Sequence, residues 1–222
     1  MDFIETFEGE RAAQYENRIG RMIPFYSGVS ELVASLIIDS IPEGKKILAA
    51  GCGTGADFEA LLKVAPDRYQ ITGVDPSPEM IEVAKKKFPN SDLVCSPVSG
   101  LDKNVRFSGA TLLFVLHFLP DDGSKLSLLK DISSRLGPGG KFILFDLYDS
   151  NPDMNSVFRE VAGYLRTFQG WENAALETYL DRVKTLHKIP ANRYETLFQE
   201  AGFQNWKQIF QAHYVGGWIA FR

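Results

Sequence analysis

Three glycines within five residues, Gly51-Cys52-Gly53-Thr54-Gly55, separate a short buried-strand run, Lys45 to Ala50, from a helical segment, Ala56 to Val64. This turn constrains the fold more than any other feature of the chain. Residues without a Cβ let the backbone approach other groups closely where a strand hands over to a helix. A second strand run, Tyr69 to Val74, ends in Asp75, about twenty residues beyond Gly55. Strand, glycine turn, helix, strand and acid in that order predict a β-α-β unit of a parallel sheet. A carboxylate at the end of the second strand is placed to accept both hydroxyl protons of a ribose, at roughly 1.5–3 kcal/mol per charge-assisted bond. The pattern therefore favours an adenosyl ligand over a turn that serves tight packing alone, which is the other reading of a glycine-rich loop.

The punctuation of the remaining chain extends the alternation. Residues 30 to 41 carry helical periodicity and stop before Pro42. Ser77 is placed as an N-cap, with Pro78 at the first helical position and Glu79 suited to the dipole of a helix running to Phe88. Leu93 to Cys95, Ala110 to Leu116 and Lys141 to Leu147 read as further strands. A helix from about Gly123 to Leu136 is ended by Gly137-Pro138-Gly139-Gly140. After Tyr148 the rhythm changes, and residues 152 to 188 carry two helices. Their apolar stripes are Val157, Val161, Leu165 and Phe168, then Leu176, Leu180, Val183 and Leu186. A helix to about Ala201 and strands at Asn205 to Gln211 and Tyr214 to Phe221 close the chain. The expectation is one α/β domain over residues 1–222, a Rossmann-like, doubly wound, mainly parallel sheet of seven strands with a C-terminal antiparallel hairpin. An N-terminal helical segment (1–41) and a helical lid insert (150–190) complete it.

Composition bounds the function. A chain of 222 residues, 45% hydrophobic and 23% charged, suffices for one sizeable core. A formal charge of −4 provides no broad basic face for a phosphate backbone, so direct nucleic-acid binding is not expected. The opening Met-Asp-Phe-Ile-Glu lacks the basic and apolar regions of a secretory signal, and no apolar stretch reaches the length of a bilayer span. A cytoplasmic location is the expectation. Cys52 and Cys95 form no C-x-x-C pair, and His117, His187 and His213 are scattered, so neither a disulfide framework nor a metal site is expected. A nicotinamide cofactor competes with the simpler adenosyl reading, because Gly51, Gly53 and Ala56 also fit G-x-G-x-x-G/A. None of the eight tyrosines has a lysine four residues on, however, so the Tyr/Lys pair of short-chain dehydrogenases is absent.

Ile47 to Gly55, Val74 to Met80, Phe114 to Leu119 and Leu136 to Gly140 resemble, in order and spacing, four motifs of the class I S-adenosylmethionine-dependent methyltransferases. The resemblance runs over nearly the whole chain. Arg21-Met22-Ile23-Pro24-Phe25-Tyr26 and Glu200-Ala201-Gly202-Phe203 are similar to the carboxy-S-adenosylmethionine synthase branch of that family. The resemblance implies S-adenosylmethionine as cofactor and methyl transfer to a small molecule. Carboxy-S-adenosylmethionine synthesis from prephenate, or adenosyl binding without catalysis, stand as alternatives. By the same resemblance Tyr26 covers the cofactor, Gly51, Cys52 and Gly53 lie along its methionine part, Asp75 and Pro76 hold ribose, and Met80 packs on adenine. Pro97 stands where the family often has an Asp facing the adenine amino group, with the Val98 amide beside it, and Leu113 stands where the synthase has an Asn. Ala49 and Ser108 replace two further acidic residues of the family pattern. A lost hydrogen bond of this kind costs about 1 kcal/mol.

Methyl transfer needs chiefly alignment of nucleophile, methyl and sulfur, so no catalytic side chain is required. His117, at the end of the fourth strand, reads either as a base or as a hydrogen-bonded packing histidine, the second being favoured. Arg182 reads equally as a clamp for a substrate carboxylate or as a solvated surface residue. Tyr164, Phe168, Trp171 and Tyr179 line a substrate cavity, or belong to the core or to a homodimer contact. Cys52 at a helix N-terminus suggests a nucleophile, but its place in the turn favours packing.

Overall fold

The computed structural model describes residues 15–222; the part of the expected N-terminal helical segment before Tyr15 lies outside the described residues. Two helices, α1 (Tyr15–Met22) and α2 (Tyr26–Ser40), precede the first strand. The sheet strands are β1 (Lys46–Ala50), β2 (Gln70–Asp75), β3 (Asp92–Cys95), β4 (Phe107–Leu113), β5 (Leu136–Leu147), β6 (Asn205–Ala212) and β7 (Val215–Phe221). Between them run α3 (Ala56–Val64), α4 (Pro78–Lys87), α5 (Ser124–Arg135), α6 (Met154–Gln169), α7 (Asn173–Thr185) and α8 (Ala191–Glu200). Strand order is β3-β2-β1-β4-β5-β7-β6, and only the pairs made by β7 are antiparallel. The order reverses between β1 and β4, so the C-terminal ends of those strands face a crevice, the usual ligand position in such sheets.

The central strands are apolar on both faces, as a covered parallel sheet requires. Ile47 and Ala49 of β1 join the core under α2, α3, α6 and α7, while Leu48 and Ala50 join the core under α5 and α8. The same alternation runs along β5, where Phe142 and Leu144 face one core and Ile143, Phe145 and Leu147 the other. Asp146 follows that parity into the α5/α8 side.

Two expected boundaries shift, each for a local reason. The fourth strand, expected from Ala110 to Leu116, spans Phe107–Leu113. Phe114 takes a left-handed φ of 59°, which no strand residue adopts, and the chain turns into a short 3-10 helix, Leu116–Phe118. The fifth strand starts at Leu136 and not Lys141, because Gly137 to Gly140 bulge out of a ladder that resumes at Gly109 opposite Lys141. Backbone bonds from Gly139 to the Arg222 carbonyl and from Arg222 to the Gly140 carbonyl, both 2.9 Å, tie that bulge to the end of the hairpin.

The insert folds as the expected helix pair. Val157, Val161 and Leu165 are buried, but Phe168 at the end of the stripe is 73% exposed. Tyr179 of α7 donates to the Met22 carbonyl at 2.9 Å and pairs with the Tyr214 hydroxyl at 2.8 Å, which fastens the insert to α1 and to the hairpin. Among the described residues no helix is long and apolar enough to cross a membrane.

Candidate functional site

The glycine turn follows β1 and meets the demands its sequence sets. Gly51, Gly53 and Gly55 have φ of 62°, 52° and 87°, all left-handed. A Cβ on Gly51 would stand 2.7 Å from Val115, and one on Gly55 2.6 Å from the Phe88 ring. Cys52 donates its backbone N–H to the Val74 carbonyl at 3.0 Å, which stitches the turn to β2. Beside it, Asp75 is held by two backbone donors: Gly53 N–H to Oδ2 at 3.0 Å and Ser77 N–H to Oδ1 at 2.9 Å. Each oxygen keeps one lone-pair direction free, so the pair is set for two further donors. Burial raises the Asp75 carboxyl above its usual range, and the two amides oppose that shift. Ser77 then caps α4 by accepting from Met80 N–H at 3.3 Å, with Pro78 at the first turn.

Around these groups lies a cavity of about 380 Å³, inside the range of about 300–1,000 Å³ typical of small-molecule sites. Gly51, Cys52, Gly53, Asp75, Pro76 and Met80 all line it, as does Tyr26, whose ring meets that of Phe114 at 5.6 Å. Leu113 lines it from the end of β4. Phe114, Val115, Phe118 and Leu119 form an apolar wall of it; the sequence presents Phe114 to Leu119 as a motif and reads as a strand as far as Leu116, without assigning these residues to the lining. Asp57, in the first turn of α3, was also missed; it is buried and lines the cavity. Asp57, Asp75 and Glu79 are acidic, and among the described residues the lining contains no Lys, Arg or His.

Several candidates lie elsewhere. Pro97 is exposed at the start of the 3-10 helix Val98–Gly100, and Val98 is buried with its carbonyl accepting from Arg135 Nε at 3.0 Å. Neither lines the cavity. His117 is 3% exposed, with Nδ1 2.5 Å from Asp146 Oδ1, and Tyr194 donates to the other oxygen of Asp146 at 2.7 Å. That placement puts the His117 ring in a buried network on the α5/α8 side, and the residue does not line the cavity. Arg182 is an exposed residue of α7 and does not line the cavity. Tyr164 stands between Phe25 and Phe168, with ring centroids 5.5 Å from each, and Trp171 packs on Tyr179 at 5.2 Å. None of these four aromatic insert residues lines the cavity. The insert braces α1, and α1 and α2 supply Ile19 and Tyr26 to the lining. Cys52 is buried, and desolvation first, then the charges of Asp57 and Asp75, push its thiol far up, which favours the thiol over the thiolate.

Known proteins resemble this chain. Carboxy-S-adenosyl-L-methionine synthase of Haemophilus ducreyi is 29% identical over 98% of this chain and 92% of its own. The synthase of an Escherichia coli strain is 24% identical over 98% and 91%. Among solved structures, the plantazolicin methyltransferase BpumL in complex with SAH and a desmethylPZN analog aligns with a TM-score of 0.67, at 14% identity, over 96% of this chain and 91% of that one. Magnesium protoporphyrin IX methyltransferase from Synechocystis with bound SAH gives a TM-score of 0.61 at 17% identity, over 95% and 87%. At such identities the structural likeness speaks for the fold alone. A model of the methyltransferase domain family matches residues 17–208, and the chain belongs to that family.

Proposed function

We propose that the cavity holds S-adenosylmethionine, with its ribose on Asp75 and its methionyl part along Gly51 to Gly53, and that the protein passes the methyl group to a small-molecule acceptor. The observation that carries this reading is the Asp75 carboxylate, oriented in advance by two backbone amides beside the glycine turn and kept partly desolvated. The acidic lining supports a cationic ligand and argues against the pyrophosphate of a nicotinamide dinucleotide. When bound, S-adenosylmethionine supplies an electrophilic methyl carbon on a positively charged sulfur. The chain's own residues do the positioning. Gly51 and Gly53 let the backbone come close, while Leu113, Phe114, Val115, Phe118 and Leu119 exclude water along one side. Alignment of this kind contributes roughly 7–11 kcal/mol to such a displacement.

The relatives' name favours a second reading, synthesis of a carboxylated sulfonium. That product carries an added carboxylate. A lining without a basic side chain among the described residues, with apolar Leu113 at the end of β4, favours the plain methyl donor. The mass of the nucleoside product formed with and without prephenate separates the two.

Calorimetric titration with S-adenosylhomocysteine tests the site. Wild-type protein is expected to bind in the micromolar range and Asp75→Ala to lose about ten-fold or more. Absence of binding by the wild type would sink the reading.

A further inference from the structure

Asp57 lines the cavity and the ribose site leaves its chemistry unexplained. It stands in the first turn of α3, just past Gly55, and is 8% exposed. Its Oδ2 is buried with no hydrogen-bond partner. A buried carboxylate oxygen without a donor is a costly arrangement, and native structures retain one where something else completes it. Among the described residues the neighbours do not. Asp75 repels a negative charge on Asp57, and Cys52, whose own thiol is pushed up by both carboxylates, offers it no positive charge. Ala49, buried in β1 beneath the turn, carries no polar side-chain atom. The cavity that Asp57 lines is the side from which a partner can enter, and an N–H donor on a positive charge would both complete the oxygen and offset the charge of Asp75.

We propose that Asp57 accepts a hydrogen bond from the α-ammonium group of the cofactor's methionyl part, a role that rests on the adenosyl reading above. S-Adenosylmethionine has two positive centres. The sulfonium has no hydrogen to donate and cannot satisfy an unpartnered acceptor, whereas the ammonium brings three N–H donors on a full charge. The position agrees: Asp57 flanks the turn along which the methionyl part is proposed to lie, and Asp75 marks the ribose end of the same cavity. One carboxylate then reads the sugar and the other the amino acid.

Titrating wild type, Asp57→Asn and Asp57→Ala with S-adenosylmethionine, S-adenosylhomocysteine and methylthioadenosine tests this, because the third ligand keeps the nucleoside and lacks the amino acid. Both variants are expected to lose on the order of ten-fold or more for the first two ligands equally, and to bind methylthioadenosine as wild type does. A loss confined to S-adenosylmethionine would assign Asp57 to the sulfonium and overturn the proposal. An equal loss for all three ligands would make Asp57 a structural residue, and unchanged affinities would deny it any role. Wild type that binds none of the three would remove the adenosyl reading itself, whereas wild type that binds with unaffected variants would remove this inference alone.

Discussion

Asp57 and Asp75 share a cavity and differ in what holds them. Asp75 has two amide donors, while Asp57 has a buried oxygen with none among the described residues. Burial first, and then the charge of Asp75, raise the Asp57 carboxyl well above its ordinary value; Cys52 faces it from the turn, and Glu79 stands on the same lining. A carboxyl raised in the folded protein binds its proton more tightly folded than unfolded. Stability is then fully present below the unfolded value, about 4, and is lost as pH rises through the higher folded one. Asp57→Asn removes that titration. The variant should melt above wild type at pH 8 by about 1 kcal/mol, or roughly 2–4 °C for a chain of this size, and the gap should close towards pH 4. Melting curves across that interval check it, and a gap independent of pH would contradict the account. At this scale the sequence exposed Asp75, because a strand end after a glycine turn is a positional signal. It hid Asp57, which reads as an ordinary acid in the first turn of a helix.

At the scale of elements, most boundaries follow from local chemistry. Ser77, Pro78 and Glu79 mark the start of α4 as expected, and Ser77 both caps the helix with its hydroxyl and holds Asp75 with its amide. The two duties use different atoms, so they are separable. Ser77→Ala should cost about 1 kcal/mol of stability through the lost cap and leave S-adenosylhomocysteine affinity within about three-fold, which unfolding and titration of one sample measure. The end of β4 was not legible, because Phe114-Val115-Leu116 is as apolar as a strand and only the left-handed φ of Phe114 stops it. That conformation is held by its N–H bond to the Phe145 carbonyl, 2.7 Å, and by the Tyr26 ring, both from distant parts of the chain. The insert helices were legible as helices, and their place was not. Tyr179 anchors them to Met22 and Tyr214, while among the described residues α1 and α2 supply Ile19 and Tyr26 to the cavity.

Across the whole molecule, the sheet separates two tasks. One face and the strand ends carry the cavity. The other carries a buried polar cluster in which Asp146 accepts from Tyr194 and pairs with His117, and Tyr194 stacks on Trp218 with centroids 4.3 Å apart. His117→Gln should therefore lower stability by roughly 1–3 kcal/mol, the cost of breaking a buried hydrogen-bonded pair, and leave cofactor affinity unchanged. A variant that melts like wild type but fails to turn over substrate would restore His117 as a base.

What the sequence determined by itself is the alternation of strands and helices, the glycine turn and the acid at the end of the second strand. Each is written in a period of two or 3.6 residues or in a backbone angle that only particular residues tolerate, so each can be read within one window of chain. The tertiary structure alone decided that Asp57 faces the cavity without a partner, that His117 turns away from it, that Arg182 stays outside, and that Phe114 ends its strand. Those outcomes depend on which distant groups supply or withhold a donor, a charge or a ring, and no local pattern encodes the neighbours that folding brings together.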